Sequence, residues 1–155
     1  MTIAVITVSD RASRGEYEDR SGPAIIETIK SMIADIQWET EVVPDGAQSV
    51  YEALSRHPHA DWIITTGGTG PSPRDQTPEA TMRYCDRTVP GLAEYFRARS
   101  LEQTLYAVFS RGVAGMKGTQ YVVNFPGSVA GASFHAALLA PLLEHGVLMA
   151  RGHGH

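Results

Sequence analysis

The chemistry this chain can perform is concentrated in a glycine-rich stretch and three acids. In TTGGTGPSPRDQTPEA, residues 65–80, Gly67, Gly68 and Gly70 surround Thr69. Glycines so closely spaced permit backbone angles that aim successive amide N–H groups at one point, a nest for anionic oxygens. The Thr69 hydroxyl and a helix start at Thr77, Pro78 and Glu79 add to the same pocket. The structural alternative is a tight strand-to-helix turn, which needs glycine anyway. Arg74 next to Asp75 fits a phosphate contact beside a magnesium ligand, against the simpler reading of a surface ion pair. Asp10, Asp45 and Asp75 each follow an expected strand, and carboxylates at the rim of a phosphate pocket are what hydrated Mg²⁺ requires. Asp45 competes with a helix-capping role, with Gln48 at the third position, and Asp10 with a turn-closing one. Asp75 has the weakest structural excuse.

Other catalytic signatures fail. There is no GxxxxGK[ST], and no GxGxxG follows the first strand, where residues 9–15 read SDRASRG. Ser128 lies in PGSVAG, not in a GxSxG elbow, and no spacing nominates a base for it. Cys85, beside Met82 and Tyr84 on an expected helix, reads as a buried structural thiol rather than a nucleophile. His57, His59, His135 and His145 are scattered, and His153 and His155 sit in a Gly-spaced tail that reads as a disordered terminus rather than a metal site.

The elements that must position these residues alternate between β and α. The chain has 155 residues, 43% hydrophobic and 19% charged, which suits one globular domain, expected over residues 1–150 with a tail at 151–155. Apolar, β-branched runs at residues 3–8, 39–43, 62–66 and 121–125 predict strands. Ser21, Gly22 and Pro23 open a helix whose core face carries Ile25, Ile26, Ile29, Met32, Ile33 and Ile36. Further helices are expected after Asp45, from Thr77, over 92–99 and 103–109, and over 133–149 with a break at Pro141 near Leu139. Strands separated by helices predict an α/β fold: a single three-layer domain with a mostly parallel sheet between helices. The segments at 9–10, 44–45, 67–75 and 124–128 then gather at one sheet edge, where ligands of such folds bind.

A net charge of −4, from 17 acids against 13 bases, argues against binding along nucleic acid and leaves a small anionic ligand open. Eleven of the bases are Arg, a ratio that phosphate recognition or mere base composition would produce. The single Cys85 excludes an internal disulfide and suggests a reducing cytoplasm. The start shows no signal-peptide pattern, and no segment is expected to span a membrane.

These residues together resemble the MoaB/MogA family of molybdenum cofactor biosynthesis proteins, whose fold also occurs in gephyrin-like and plant Cnx-type proteins. The resemblance rests on TVSDRAS at 7–13, EDRSGP at 18–23, VPD at 43–45, the 65–80 motif, VPGLAEYFR at 89–97, SRGVAGMKG at 110–118 and NFPGS at 124–128. GGTGP joined to RDxTPEA separates it from the related insertase and CinA-like branches. The resemblance implies adenylylation of molybdopterin by ATP with Mg²⁺, releasing pyrophosphate. Carried onto this chain, the loop of Gly67, Gly68, Thr69 and Gly70 would cradle phosphate. Asp45 and Asp75 would organise Mg²⁺ and the reacting groups, and Ser9, Asp10, Thr69, Glu79, Pro126, Gly127 and Ser128 would line the pocket. One departure stands out: Val129, Ala130 and Gly131 replace the second proline and the basic residue that commonly follow LPGS or LPGN. That change favours a second reading, a protein that binds molybdopterin without transferring to it. The resemblance also implies homotrimers or hexamers and contacts with other proteins of the pathway. The apolar stretch at 86–118, with Leu92, Tyr95, Phe96, Leu101, Leu105, Tyr106 and Phe109, is the expected interface, with an unusually thick core as the rival.

Overall fold

The computed structural model describes residues 1–153. Among these, six strands form one sheet: β1 (Thr2–Val8), β2 (Gln37–Val43), β3 (Trp62–Thr66), β4 (Arg87–Thr88), β5 (Ala114–Lys117) and β6 (Gln120–Phe125), in the order β2-β1-β3-β6-β5-β4. The pairs β2/β1, β1/β3 and β3/β6 are parallel, while β5 runs antiparallel to β6 and β4 antiparallel to β5. The helices are α1 (Asp10–Ser13), α2 (Ser21–Lys30), α3 (Ala47–Ser55), α4 (Thr77–Tyr84), α5 (Pro90–Ser100), α6 (Val129–Leu139) and α7 (Leu143–Ala150).

The central strands read as unbroken apolar runs because both sheet faces are covered. Their side chains alternate between two cores. Ile3, Val5, Trp62, Ile64, Val123 and Phe125 pack with Ile25 and Ile29 of α2, Phe96 of α5, Ala136 and Leu139 of α6, and Leu143 of α7. Ala4, Ile6, Val8, Ile63 and Val122 pack with Val50 and Leu54 of α3 and Ala80 and Tyr84 of α4. The three expected layers are therefore present.

Several local expectations change. α2, which Ser21 opens, ends at Lys30, so Met32 lies beyond its last turn and is half exposed, and Asp35 adopts a positive φ of 60°. Its first amides are served by Asp19, whose Oδ1 accepts from Gly22 N at 3.1 Å, rather than by Ser21. β4 and β5 are additions to the strands that the sequence predicts. Residues 105–109 form a 3₁₀ turn, not an α-helix, and Cys85 sits just past α4 in extended backbone. The C-terminal helix starts at Val129, four residues early, because the Ser128 hydroxyl accepts from Gly131 N at 3.2 Å and caps it. Pro141 breaks it into a 3₁₀ turn at Ala140–Leu142, as expected from its missing N–H.

The helical run Val129–Ala150 is 22 residues long and, by length and composition alone, apolar enough to cross a membrane, which corrects the expectation that no segment reaches that length. Ala132, Ala136, Leu139 and Leu143 on this run are fully buried against the sheet and α2, the placement of a core helix. Of the expected tail, Arg151 ends α7 and donates from Nη2 to Asp61 at 2.7 Å, and His153 N donates to Leu148 O; His155 lies outside the described residues.

Candidate functional site

Four parallel strands deliver their following loops to one edge at one level, because the register pairs Val8 with Val43, Thr7 with Thr66, and Thr66 with Phe125. Asp10, Asp45, the 67–75 loop and the 126–128 turn therefore meet. The contacts agree: Asp10 N donates to Asp45 Oδ2 at 3.0 Å, Asp45 N donates to Asp10 Oδ1 at 3.1 Å, and Gly67 N donates to Phe125 O at 3.1 Å.

Asp45 is not a helix cap. α3 begins after Gly46 with no side-chain cap from Asp45, and the amide of Ala47 is taken instead by Gln76 Oε1 at 3.0 Å. Gln48 reaches Glu52 and Arg83, not the helix start. Burial pushes the Asp45 carboxyl up, and the neighbouring Asp10 and Asp75 charges push the same way against the bond from the Asp10 amide. Asp10 is held below its ordinary value chiefly by Arg74, whose Nη2 donates to Oδ2 at 2.6 Å. Arg74 thus pairs with Asp10 across the edge rather than with its sequence neighbour. Asp75 Oδ2 accepts from Ser72 N at 3.1 Å, which supplies the structural role that the sequence did not show.

Two cavities share a wall. The larger, about 670 Å³, is bordered by Thr69, Gly70, Pro126, Ser128, Tyr106, Phe109, Phe134, Arg97, Ser100 and His135. The smaller, about 290 Å³, is bordered by Ser9, Asp19, Arg20, Asp45, Gly67, Gly68, Gly127 and Ser128. The loop 67–70 and the turn 126–128 stand between them, with Ser128 on both sides. Asp10, Arg74, Asp75 and Glu79 line neither cavity and lie among the loop contacts. Ser9 caps α1 by accepting from Ala12 N at 3.2 Å, as Ser128 caps α6. Close packing fixes this wall: a Cβ on Gly131 would come within 2.7 Å of the Pro126 ring and 2.8 Å of Ser128 Oγ.

Asn124, expected at the loop, is instead buried inside β6. Its Nδ2 donates to the Thr65 and Thr81 hydroxyls, both at 2.9 Å, and its Oδ1 accepts from Val113 N at 3.2 Å, tying the sheet to α4.

Two residues escaped the sequence reading. Arg111 pairs with Glu79, holding the acid below its ordinary value, and also reaches the backbone of the 67–75 loop. His135, one of the scattered histidines, is buried in the wall of the larger cavity, with Nε2 2.7 Å from Ser100 Oγ and its ring stacked on Phe96. Burial, helped by Arg97, lowers it to about 4, so it is neutral at physiological pH. Arg111 sits in the SRGVAGMKG motif; no local pattern marked His135. Burial raises Cys85 to about 11, which fits an inert thiol.

Among the described residues, no group of three or more His, Cys, Asp or Glu forms a metal cage. The donor set suits Mg²⁺ bound the other way, by one or two carboxylates with phosphates and water completing the shell. Asp45 borders the smaller cavity with the Asp10 and Asp75 charges nearby, so it is the carboxylate placed to meet such an ion there.

Residues 4–145 match the family model described as a probable molybdopterin binding domain. The chain is 39% identical over 129 residues to a molybdopterin adenylyltransferase of Helicobacter pylori strain J99, covering 81% of this chain and 73% of the relative. It is 35% identical over 131 residues to the molybdopterin adenylyltransferase of Escherichia coli K12, covering 82% and 67%. The molybdopterin biosynthesis enzyme MoaB of Thermus thermophilus superimposes with a TM-score of 0.87 at 39% identity, over 97% of this chain and 96% of that one.

Proposed function

The chain belongs to the probable molybdopterin binding domain family, in its MoaB/MogA branch, and on that premise we propose that it adenylylates molybdopterin in molybdenum cofactor biosynthesis. The terminal phosphate oxygen of molybdopterin attacks the α-phosphorus of ATP, the bond to the β-phosphate oxygen breaks, and pyrophosphate leaves. The observation that carries this reading is a single wall of glycine-rich backbone bordering two cavities, which gives two phosphate-bearing substrates adjoining places. Phosphoryl-type transfer needs positioning and charge neutralisation more than a protein nucleophile, and the pterin supplies the nucleophile itself.

In this reading the amides of 68–70 hold phosphate oxygens, and the apolar larger cavity takes a flat heteroaromatic ring. Mg²⁺, held by Asp45 and Asp75 together with substrate phosphates, supplies positive charge against the phosphates when bound. Ser9 and Ser128 contribute through the helix starts they cap. Glu79 and Arg74 act as partners of Arg111 and Asp10. The lone free thiol of Cys85 is in keeping with a cytoplasmic setting.

Incubating the protein with molybdopterin and α-labelled ATP tests the proposal: labelled adenylyl-molybdopterin and pyrophosphate should appear together. The residues Val129, Ala130 and Gly131 favour one alternative, a non-catalytic molybdopterin-binding protein of the same pathway. Tight pterin binding without pyrophosphate release selects it.

We also place a homotrimeric or hexameric interface on residues 101–109. Leu92 and Phe96 pack inward, whereas Leu105 and Tyr106 are each 81% exposed and Phe109 is 62% exposed, so a thick core does not account for them. Sedimentation at micromolar concentration should give a species at least three times the monomer mass. Tyr106→Ser with Phe109→Ser should return it to monomer, and a monomeric parent protein would refute the interface.

A further inference from the structure

We infer that His135 is a positioning residue of the larger cavity. Its Nε2–H holds the Ser100 oxygen, so that the Ser100 hydroxyl proton is presented to a ring nitrogen or carbonyl of the heteroaromatic substrate. The inference rests on the reading of that cavity as the place of a flat heteroaromatic ring. Both residues border it, His135 from α6 and Ser100 from the last position of α5. His135 is 6% exposed, and only one of its ring nitrogens has a partner. Nε2 lies 2.7 Å from Ser100 Oγ, while Nδ1 is enclosed with no hydrogen-bond partner among the described residues. The ring is clamped, stacked on Phe96 with 5.1 Å between centroids and meeting Phe125 edge-on at 5.2 Å.

A neutral imidazole carries one proton, on one nitrogen or the other. Placed on Nδ1, it would be a buried N–H without an acceptor, the rarer and costlier kind of orphan. Placed on Nε2, it is used, and Nδ1 keeps a bare lone pair among aromatic rings. Ser100 Oγ therefore accepts from His135. An oxygen that accepts along the ring direction cannot also donate along it, so its own proton turns away from the imidazole. The Ser100 hydroxyl has no other partner among the described residues, and the space left to it is the cavity. The backbone beneath it is fixed, since the Ser100 carbonyl accepts from Gln103 N at 2.9 Å and from Thr104 N at 3.0 Å. Accepting one hydrogen bond polarises the hydroxyl for donating another. Such a donor favours a ring that offers an acceptor at that point and disfavours one that does not, because the hydroxyl is then left unpaired.

NMR at the imidazole nitrogens of the ligand-free protein reads the tautomer directly. His135 should show a protonated Nε2 and a bare Nδ1, and the reverse would overturn the inference. Titration with pterin and, separately, with adenosine monophosphate reads the consequence without depending on turnover. The probe whose ring enters the larger cavity is identified by amide shifts at Gly131 and Phe134. For that probe, Ser100→Ala should weaken binding by about tenfold, the scale of one hydrogen bond. His135→Phe keeps a ring against Phe96 and should weaken binding by about threefold or more. His135→Gln, whose side-chain amide can donate to Ser100, should recover most of the affinity. The double variant of His135→Phe with Ser100→Ala should bind no more weakly than Ser100→Ala alone, because one residue acts through the other. Losses that multiply would overturn the inference, and so would parent-like affinity in His135→Phe or a parent protein that binds neither probe. The expected pattern in a parent protein that makes no adenylyl-molybdopterin would uphold the positioning role and defeat the enzymatic reading alone.

Discussion

Replacing Asp45 by asparagine is expected to lower pyrophosphate release by on the order of a hundredfold or more, the scale on which removal of one electrostatic partner of a transition state is felt. The fold should survive. The helix after Asp45 draws its cap from Gln76, and the asparagine Oδ1 can still accept the Asp10 amide. The pH dependence separates the two effects. The Asp45 carboxyl is raised by burial first, and by Asp10 and Asp75, so ionising it disfavours the folded state as pH rises through the carboxylate range. An uncharged asparagine removes that penalty. The thermal midpoint of Asp45→Asn should therefore equal or exceed that of the parent at neutral pH, and the advantage should vanish as pH falls below the carboxylate range. Turnover of the parent should show an acid limb displaced upward from that of a surface carboxylate, absent from the residual activity of the variant. Full adenylyl transfer by Asp45→Asn would remove the acid from the chemistry.

Gly67→Ala should cost about 3 kcal/mol or more in folding stability, combining a strained backbone with an overlap that cannot relax. Gly67 adopts φ = +103°, and a Cβ there would overlap the carbonyl oxygen of Val8 in the neighbouring strand. Gly127 packs against the same residue, since a Cβ on Gly127 would lie 3.2 Å from Gly67 Cα. Every obstacle is backbone. Gly15 provides the comparison, with φ = +73° and nothing within 4 Å of its Cβ, so alanine there should cost only about 1–2 kcal/mol. Urea unfolding of the two variants side by side checks this, and near-parental stability of Gly67→Ala would contradict the packing described.

What the sequence made legible follows from how local each signal is. β1, β3 and β6 stand out because strands covered on both faces are unbroken apolar runs. β5 is invisible in the sequence: AGMK is short, has no alternation, and its Gly115 is there because a Cβ would come within 2.8 Å of the Arg87 carbonyl and 2.9 Å of Cys85. The helical spacing that extends α2 to Met32 and Ile36 continues past the real end at Lys30, since Ile33 and Ile36 pack on the core from non-helical backbone. The glycine loop and Asp45 could be assigned to one edge because strand ends place them there. Pairings could not. Arg74 lies beside Asp75 in sequence, yet its guanidinium reaches Asp10, 64 residues away, and Glu79 is met by Arg111, 32 residues on. Partners of that kind are chosen by tertiary approach and leave no mark on either local sequence.

The partition between the two cavities has a thermodynamic consequence. A ligand on one side that stiffens the partition has already met part of the ordering entropy that a ligand on the other side would otherwise lose, which makes their binding mutually reinforcing with no change in average shape. Linkage requires the factor to be the same in both directions. Addition of the two substrates would then be random in order and synergistic. A product whose two halves occupy both cavities would collect the whole of that cooperative energy and leave slowly, so departure from the protein, rather than bond making, would set the pace.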